Sequence, residues 1–338
     1  MNLGDLTKAQ LKEYIEKIGE GSFRAKQIFK WIHSGIEGAD EMTNISKALR
    51  ERLSSDFEIF LPTIYKKLVS RIDGTVKYLF TLSDGNIIET VVMDYHHGKS
   101  ICISSQVGCR MGCSFCASTL HGLTRNLTPF EIEGQILRAQ KDLGVKISNV
   151  VIMGIGEPLD NYDNIITFLK NVNDEDALNI GYRQITLSTC GLADKIFSLA
   201  DEDMPINLAI SLHAPNDEVR KKLMPVAKAY SLSRLMEACD YYFKKTGRRI
   251  TFEYALVKGK NASYEEAREL AELLRGKNAH VNLIPVNPVM ERDNVRTNEK
   301  ETLTFRKTLE GLGINATIRR ELGADINASC GQLRNNEL

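Results

Sequence analysis

Leu6, Leu11, Tyr14, Ile15 and Ile18 recur at helical spacing through LTKAQLKEYIEKI (6–18), and Gly19-Glu20-Gly21-Ser22 interrupts them. The stripe predicts one helix there and a second over 23–33, with Ser22 as its N-cap. A third helix is predicted over 46–53. Three short helices bury little apolar surface between them, so this small unit is expected to dock on the larger remainder of the chain. From about residue 63 the period falls to two. TIYKKLVS, TVKYLFTL and NIIETVVMDY are separated by Ile72-Asp73-Gly74 and Ser83-Asp84-Gly85, turn residues suited to hairpins. A short antiparallel meander is predicted.

After residue 99 apolar runs alternate with helical patterns. The predicted strands are 101–106, 148–154, 183–188, 206–213, 250–257 and 280–286, with helices such as PFEIEGQILRAQKDLG and 263–276 between them. Six such repeats predict an α/β fold, a partial (β/α)6 barrel with a parallel sheet, and not a nucleotide-binding open sheet. The dinucleotide glycine fingerprint is absent after the first strand. In parallel βα architectures ligands gather at the C-terminal ends of strands. Cys109 to Cys116 follow the first predicted strand, Gly154-Ile155-Gly156-Glu157-Pro158 the second, and Ser188 ends the third. Ser211 and His213 end the fourth, and Asn287 follows the last. The expected layout is a helical domain over 1–57, an antiparallel β linker over 58–95, the barrel core over 95–325, and a C-terminal segment, 326–338, that carries Cys330.

Composition narrows the class. Of 338 residues, 43% are hydrophobic and 26% charged, as in an ordinary soluble globular protein. No run approaches the length of an apolar membrane span, and the acidic, amphipathic start lacks a secretion-signal layout, so no membrane and a cytoplasmic location are expected. Lys+Arg and Asp+Glu both number 44, so net charge gives no sign of nucleic acid. Basic clusters at Lys66-Lys67, Arg220-Lys221-Lys222, Lys244-Lys245 with Arg248-Arg249, and Arg319-Arg320 read as solvated faces unless several converge in space. Seven cysteines in a cytosolic chain do not predict a disulfide framework. Taken singly, Cys102, Cys190, Cys239 and Cys330 read as small buried hydrophobes.

The stretch GCRMGCSFCAST is different: Cys109, Cys113 and Cys116 fall within eight positions. A closed zinc site takes four ligands, and His121 could supply the fourth. Thiolates suit iron clusters equally. A cubane held by three cysteines leaves one iron open to a small molecule, and at the mouth of a barrel an open iron is a reagent.

Cys109-x3-Cys113-x2-Cys116, with Phe115 before the last cysteine, resembles the cluster motif of the radical S-adenosylmethionine (SAM) superfamily. SSQVGCRMGCSFCAS, GIGEPLDN, ITLSTCG, AISLHAPND, NLIPVNP and DINASCGQL, in that order, resemble the family within it that methylates carbon-2 of adenosine in RNA. The similarity spans roughly residues 60–335, and the helical N-terminus stands where that family has an RNA-contacting accessory domain. The resemblance implies a radical-SAM barrel acting on 23S rRNA, at the peptidyl-transferase centre, and on the anticodon-adjacent adenosine of tRNA. It implies one [4Fe-4S] cluster on Cys109, Cys113 and Cys116, capped by the amino and carboxylate end of SAM. Gly156, Glu157, Ser188, Ser211, Leu212, His213 and Asn287 match its SAM contacts, Cys330 the methyl-carrying cysteine, Cys102 the resolving one and Glu89 a proton acceptor.

Carbon-2 of adenine lies between two ring nitrogens and is too electron-poor to attack the SAM methyl. The family route is implied to avoid this with two SAM per turnover. A first SAM methylates Cys330, and a second yields a 5′-deoxyadenosyl radical that takes hydrogen from the S-methyl group. The resulting radical adds to the base, and Cys102 releases product in a transient disulfide. A low-potential electron donor such as flavodoxin or ferredoxin and a monomeric state are also implied. Without the resemblance, Cys102 reads as a structural thiol on an apolar strand, Glu89 as an outward carboxylate, and the SAM-contact residues as strand-end hydrogen bonders. Asn327 and Ser329 depart from an expected aspartate and alanine, and His33, His96, His97 and His280 are expected to be structural. A related family that methylates carbon-8 and a non-catalytic, zinc-stapled RNA-binding protein are the alternatives.

Overall fold

Helix α1 (Lys8–Lys17) starts in a capping box: Thr7 accepts from the Gln10 amide while the Gln10 side chain accepts from Thr7. Helix α2 (Phe23–Ile32) has no such start. Ser22 already has helical torsions, with φ −53°, and makes no capping bond, so the expected N-cap at Ser22 is corrected. Helix α3 (Lys47–Asp56) is capped by Ser46. Leu11 and Ile15, Ile28, Phe29 and Ile32, and Leu49 and Leu53 close one apolar cluster with Leu61 and with Phe130 and Leu137 of α4 (Pro129–Leu143). The helical unit therefore docks by sharing a core with a barrel helix. Two polar contacts fix it: the Phe130 amide donates to Asp5 at 3.0 Å, and buried His33 Nδ1 lies 2.7 Å from Glu133 Oε1.

The computed structural model describes residues 1–96 and 98–333; His97 and the last five residues of the expected C-terminal segment, 334–338, lie outside the described residues. The meander forms as β1 (Thr63–Val69), β2 (Val76–Thr81) and β3 (Ile87–Tyr95), and β3 pairs antiparallel with β4 (Gly98–Ile103). The first predicted barrel strand, 101–106, is shifted: β4 ends at Ile103, and Gln106 opens a separate hairpin of β5 (Gln106–Gly108) and β6 (Leu123–Asn126). The break has a cause. Buried Gln135 of α4 accepts from the Ser104 amide and donates to the Ser104 carbonyl, taking both groups that would extend the ladder.

From β4 the sheet runs in parallel through β7 (Ile147–Ile152), β8 (Ile185–Thr189), β9 (Asn207–Ser211), β10 (Ile250–Leu256), β11 (Ala279–Pro285) and β12 (Ala316–Ile318). Six helical connections link these seven strands: α4, α5 (Tyr162–Asn173), α6 (Ala193–Ala200), α7 (Asp217–Leu223) with α8 (Leu232–Thr246), α9 (Tyr264–Leu274) and α10 (Glu299–Gly311). The sheet is open, with β1 and β12 at its two ends, so the barrel is partial as expected. The added strand, β12, is three residues long and too short to leave a periodic signal. Strand residues such as Ile101, Val150, Leu187, Leu208, Phe252 and Leu283 pack against helix residues Ile136, Phe168, Leu235 and Leu270 in the main core. No helix among the described residues is long and apolar enough to cross a membrane.

Phe130 is fully buried where the helical unit meets the barrel helix. Phe130→Ala should cost about 3–5 kcal/mol, the usual range for a buried phenylalanine truncated to alanine. The measurement is the urea midpoint of unfolding, and a midpoint equal to wild type would contradict the docking.

Candidate active site

The loop that carries Cys109, Cys113 and Cys116 springs from the β5–β6 hairpin. The Cys109 amide donates to the Gly122 carbonyl at 2.8 Å, and the Ser114 amide to the Leu223 carbonyl at the end of α7 at 2.9 Å. Thr119 Oγ1 donates to the Cys116 carbonyl at 3.0 Å and itself receives Arg292 Nη2 at 2.9 Å. The three sulfurs are thus fixed on one loop, and all three residues line one cavity at the C-terminal ends of the parallel strands. Burial pushes Cys109 up to about 12 and raises Cys113 and Cys116, and neighbouring sulfurs push in the same direction. Three thiolates become tolerable in one buried place when a metal cation neutralises them.

The opposite wall is built from the strand ends: Gly154, Gly156 and Glu157 after β7, Ser188, Thr189 and Cys190 at β8, Ser211 and His213 at β9, and Asn287 beyond β11. Gly156 has φ 111°, and a Cβ there would lie 2.7 Å from the Gln106 side chain, so only glycine fits. Glu157 is buried, and burial raises its carboxyl, while the amides of Leu159 at 3.0 Å and Cys190 at 2.7 Å donate to it. The Glu157 amide in turn donates to buried Gln106 at 2.8 Å, which orients the whole turn. His213 adopts a left-handed φ of 56°, with Asn261 donating to its carbonyl at 2.7 Å. Its Nδ1 accepts from the Ala255 amide at 2.8 Å, so the ring proton sits on Nε2. Burial first, and the Arg220 charge second, lower its pKa to about 3, and His213 is neutral at physiological pH. Leu212 is the exception among the predicted cofactor contacts. Its side chain is in the core, its carbonyl accepts from Arg220 at 3.2 Å, and it is absent from the cavity lining.

Cys330 reaches the same cavity from far along the chain. The Ala117 amide donates to the Gly331 carbonyl at 2.8 Å, Ser118 Oγ to the Leu333 carbonyl at 2.8 Å, and Asn287 Nδ2 to the Cys330 carbonyl at 2.9 Å. Gly331 has φ 81°, which lets the segment turn against the cysteine loop. Cys330 also lines a second cavity with Met93, Tyr95, Arg296 and Arg320, so it stands in the wall between two spaces. The two sequence departures are accommodated locally: Asn327 takes φ 50°, a conformation asparagine tolerates, and Ser329 Oγ donates to the Leu322 carbonyl at 3.1 Å.

Cys102 lines neither cavity and is buried with Val91, Met93, Ile155, Leu322 and Leu333. Burial pushes its thiol up to about 12; Cys330 is close enough to raise it further and Arg319 close enough to lower it. Glu89 is not outward, as strand alternation alone has it. Its carboxylate is buried 2.7 Å from Lys77 Nζ, and Lys77 also donates to the Asn327 carbonyl at 3.1 Å. Glu89 is likewise absent from both linings.

Sequence reasoning missed Glu253 and Arg319, which both line the main cavity. Asn282 Nδ2 donates to Glu253, and Arg319 Nη1 approaches it at 3.6 Å. Arg319 belongs to a charge pair that looks like a solvated face, and nothing local in the sequence marks it as inward. His121, the proposed fourth zinc ligand, is exposed and outside the cavity. The donor set is therefore three cysteine sulfurs on a largely apolar cavity in which Glu157, Ser188, Ser211, His213 and Asn287 are the polar points, a lining that fits a thiolate-bound cluster with a small polar molecule beside it.

Comparison with known proteins agrees with this geometry. Residues 1–59 match the family profile described as Ribosomal RNA large subunit methyltransferase N-terminal domain, and residues 103–274 match Radical SAM superfamily. A protein of Clostridium novyi (strain NT) named probable dual-specificity RNA methyltransferase RlmN is 57% identical over 99% of this chain and 98% of its own length. One of Alkaliphilus oremlandii (strain OhILAs) with the same name is 57% identical over 100% and 98%. The crystal structure of a radical SAM methyltransferase from Sphaerobacter thermophilus superposes with TM-score 0.93 at 43% identity, covering 99% of both chains.

In metal-free protein, half-exposed Cys330 should react with iodoacetamide before buried Cys102. Because only the thiolate reacts and the Cys102 pKa lies near 12, its alkylation rate should climb about tenfold per pH unit from about pH 8 to about pH 10. Peptide mass spectrometry of quenched samples gives the rates; a plateau near pH 9 would contradict the burial.

Proposed function

This chain belongs to the RlmN family of the radical SAM superfamily, and from that premise we propose that it methylates carbon-2 of adenosine in 23S rRNA, at the peptidyl-transferase centre, and in tRNA beside the anticodon. One observation supports this reading most strongly: Cys330, remote in sequence, lines the same cavity as Cys109, Cys113 and Cys116. A structural metal site has no use for a free, half-exposed thiol anchored beside it.

Cys109, Cys113 and Cys116 would hold a [4Fe-4S] cluster, which together with SAM would supply an electron and a carbon radical able to take a hydrogen atom. The chain does the rest. Glu157, buried and fixed by two amides, would accept hydrogen bonds from the SAM ammonium, and Gly156, Ser188, Ser211, His213 and Asn287 would shape the space around it. Leu212 supports that wall from the core. As a thiolate, Cys330 would displace S-adenosylhomocysteine from the methyl of a first SAM and become a thioether. After a hydrogen atom leaves that methyl, Cys330 presents a one-carbon radical to the base and stays covalently attached to it. Glu89 is the proposed acceptor of the carbon-2 proton, with Lys77 tying it to the segment that carries Cys330. Cys102 then attacks the Cys330 sulfur; as the carbon–sulfur bond breaks the methylene carbon takes a proton and the adduct's unpaired electron returns to the electron carrier, which leaves the methylated base and a disulfide that a cellular reductant reopens.

Two SAM molecules are consumed per turnover, with electrons from a donor such as flavodoxin or ferredoxin. The N-terminal helical unit contributes RNA contacts, and we expect a monomer at work in the cytoplasm. RNA affinity should fall with salt, since phosphate contacts release counterions.

The test is methylation of RNA by anaerobically reconstituted protein, with the modified nucleoside read by mass spectrometry after digestion. Wild type should give 2-methyladenosine. Cys330→Ala should give none while still cleaving SAM, and Cys102→Ala should accumulate a protein–RNA adduct through Cys330. Full turnover by Cys330→Ala would overturn the carrier role, and methylation at carbon-8 would move the chain to the related specificity.

A further inference from the structure

Arg220 opens the run Arg220-Lys221-Lys222 on α7, yet its side chain is completely buried. Nη2 donates to the Cys190 carbonyl at 2.6 Å and, at 3.4 Å, to that of Ser211; Nε donates to the Leu212 carbonyl at 3.2 Å. Nη1 is buried with no hydrogen-bond partner. Among the described residues no carboxylate forms an ion pair with it. A guanidinium does not deprotonate in a protein, and an enclosed charge with no opposite charge beside it is among the costliest groups to bury.

The surroundings say where the missing charge belongs. The sulfurs of Cys190 and Cys113 are the groups that would most favour the charged guanidinium, ahead of Asp217 and Cys239. On the other side, the Arg220 charge reaches Cys113 and His213. Cys190, Cys113, Ser211 and His213 all line the cavity, so Arg220 stands directly behind its wall. Gly191 makes room for it: a Cβ there would lie 3.1 Å from Nη2.

We propose that Arg220 is the fixed counter-charge of the thiolate-bound cluster, a positioning residue that raises the cluster's reduction potential while clamping the ends of β8 and β9. The inference rests on the functional reading above. Three thiolates outweigh the charge of a cubane core, and one added electron makes the site more negative still, so a nearby positive charge favours the reduced form. The dry surroundings strengthen that effect. No proton moves, because the guanidinium stays charged in both states; the electron comes from the external donor.

The experiment is an anaerobic redox titration, followed by electron paramagnetic resonance, of reconstituted wild type, Arg220→Lys, Arg220→Gln and Arg220→Met. The midpoint potential should shift downward in the Gln and Met variants and stay near wild type in Lys, which keeps the charge. Melting temperature supplies a second readout: cluster loading should raise it less in Arg220→Met than in wild type. An unshifted Gln variant, or a Lys variant that shifts as far as Gln, overturns the proposal. If Gln and Met take up no cluster, Lys decides: loading at a wild-type potential upholds the charge, and failure to load leaves only the carbonyl clamp. A wild type that holds no reducible cubane sinks the functional reading itself, whereas a normal wild-type cubane with unshifted variants sinks this inference alone.

Discussion

The site depends on the backbone strap between the C-terminal segment and the cysteine loop. Two hydrogen bonds, from the Ala117 amide and the Ser118 hydroxyl, hold the Gly331 and Leu333 carbonyls, and Asn287 holds that of Cys330. The other end of the segment is moored to the β1–β2 turn. The Gly323 amide donates to Asp73 at 2.9 Å, while Ser70 Oγ and the Arg71 amide donate to Asp325 at 2.7 and 2.9 Å. Burial costs Asp73 ionisation, but hydrogen bonds that include those from the Gly323 and Thr75 amides more than offset it and hold its carboxyl down at about 2. The antiparallel meander therefore does more than extend the sheet. It supplies a second mooring for the segment that places Cys330 beside the strand ends.

That geometry joins two spaces through one sulfur. One side has cysteines, a buried carboxylate and a neutral imidazole, a set suited to a cationic sulfonium cofactor beside an anionic metal group. The other side has Met93, Tyr95, Arg296 and Arg320, with Glu321 2.7 Å from the Arg296 guanidinium, and under the proposed function it is the side from which a base would approach. A one-carbon unit on Cys330 would pass between them without the two reactants having to meet.

Much of this was legible in the sequence, and the limits are instructive. Alternating apolar strands and helices carry the barrel because period and length are local properties, and the strand-end rule then placed Gly156, Glu157, Ser188, Ser211, His213 and Asn287 on one wall. Three-residue β12 left no such trace. Alternation assigned Glu89 to a face but could not say that the face is covered, nor that Lys77 meets it there. Arg220 and Arg319 sit in charge runs whose default reading is a solvated surface; that they turn inward depends on Cys190 and Glu253, residues distant in sequence. The pairing of Cys102 with Cys330 could be taken only from family likeness, since neither residue differs locally from a buried structural thiol.

The central claim is that Cys330 carries carbon from cofactor to base, and the most direct measurement is the intact mass of the Cys330 peptide in protein purified anaerobically and incubated with SAM. A one-carbon adduct on Cys330, with Cys102 unmodified, is the predicted result. An unmodified Cys330 peptide in protein that demonstrably holds its cluster and methylates RNA would contradict the account.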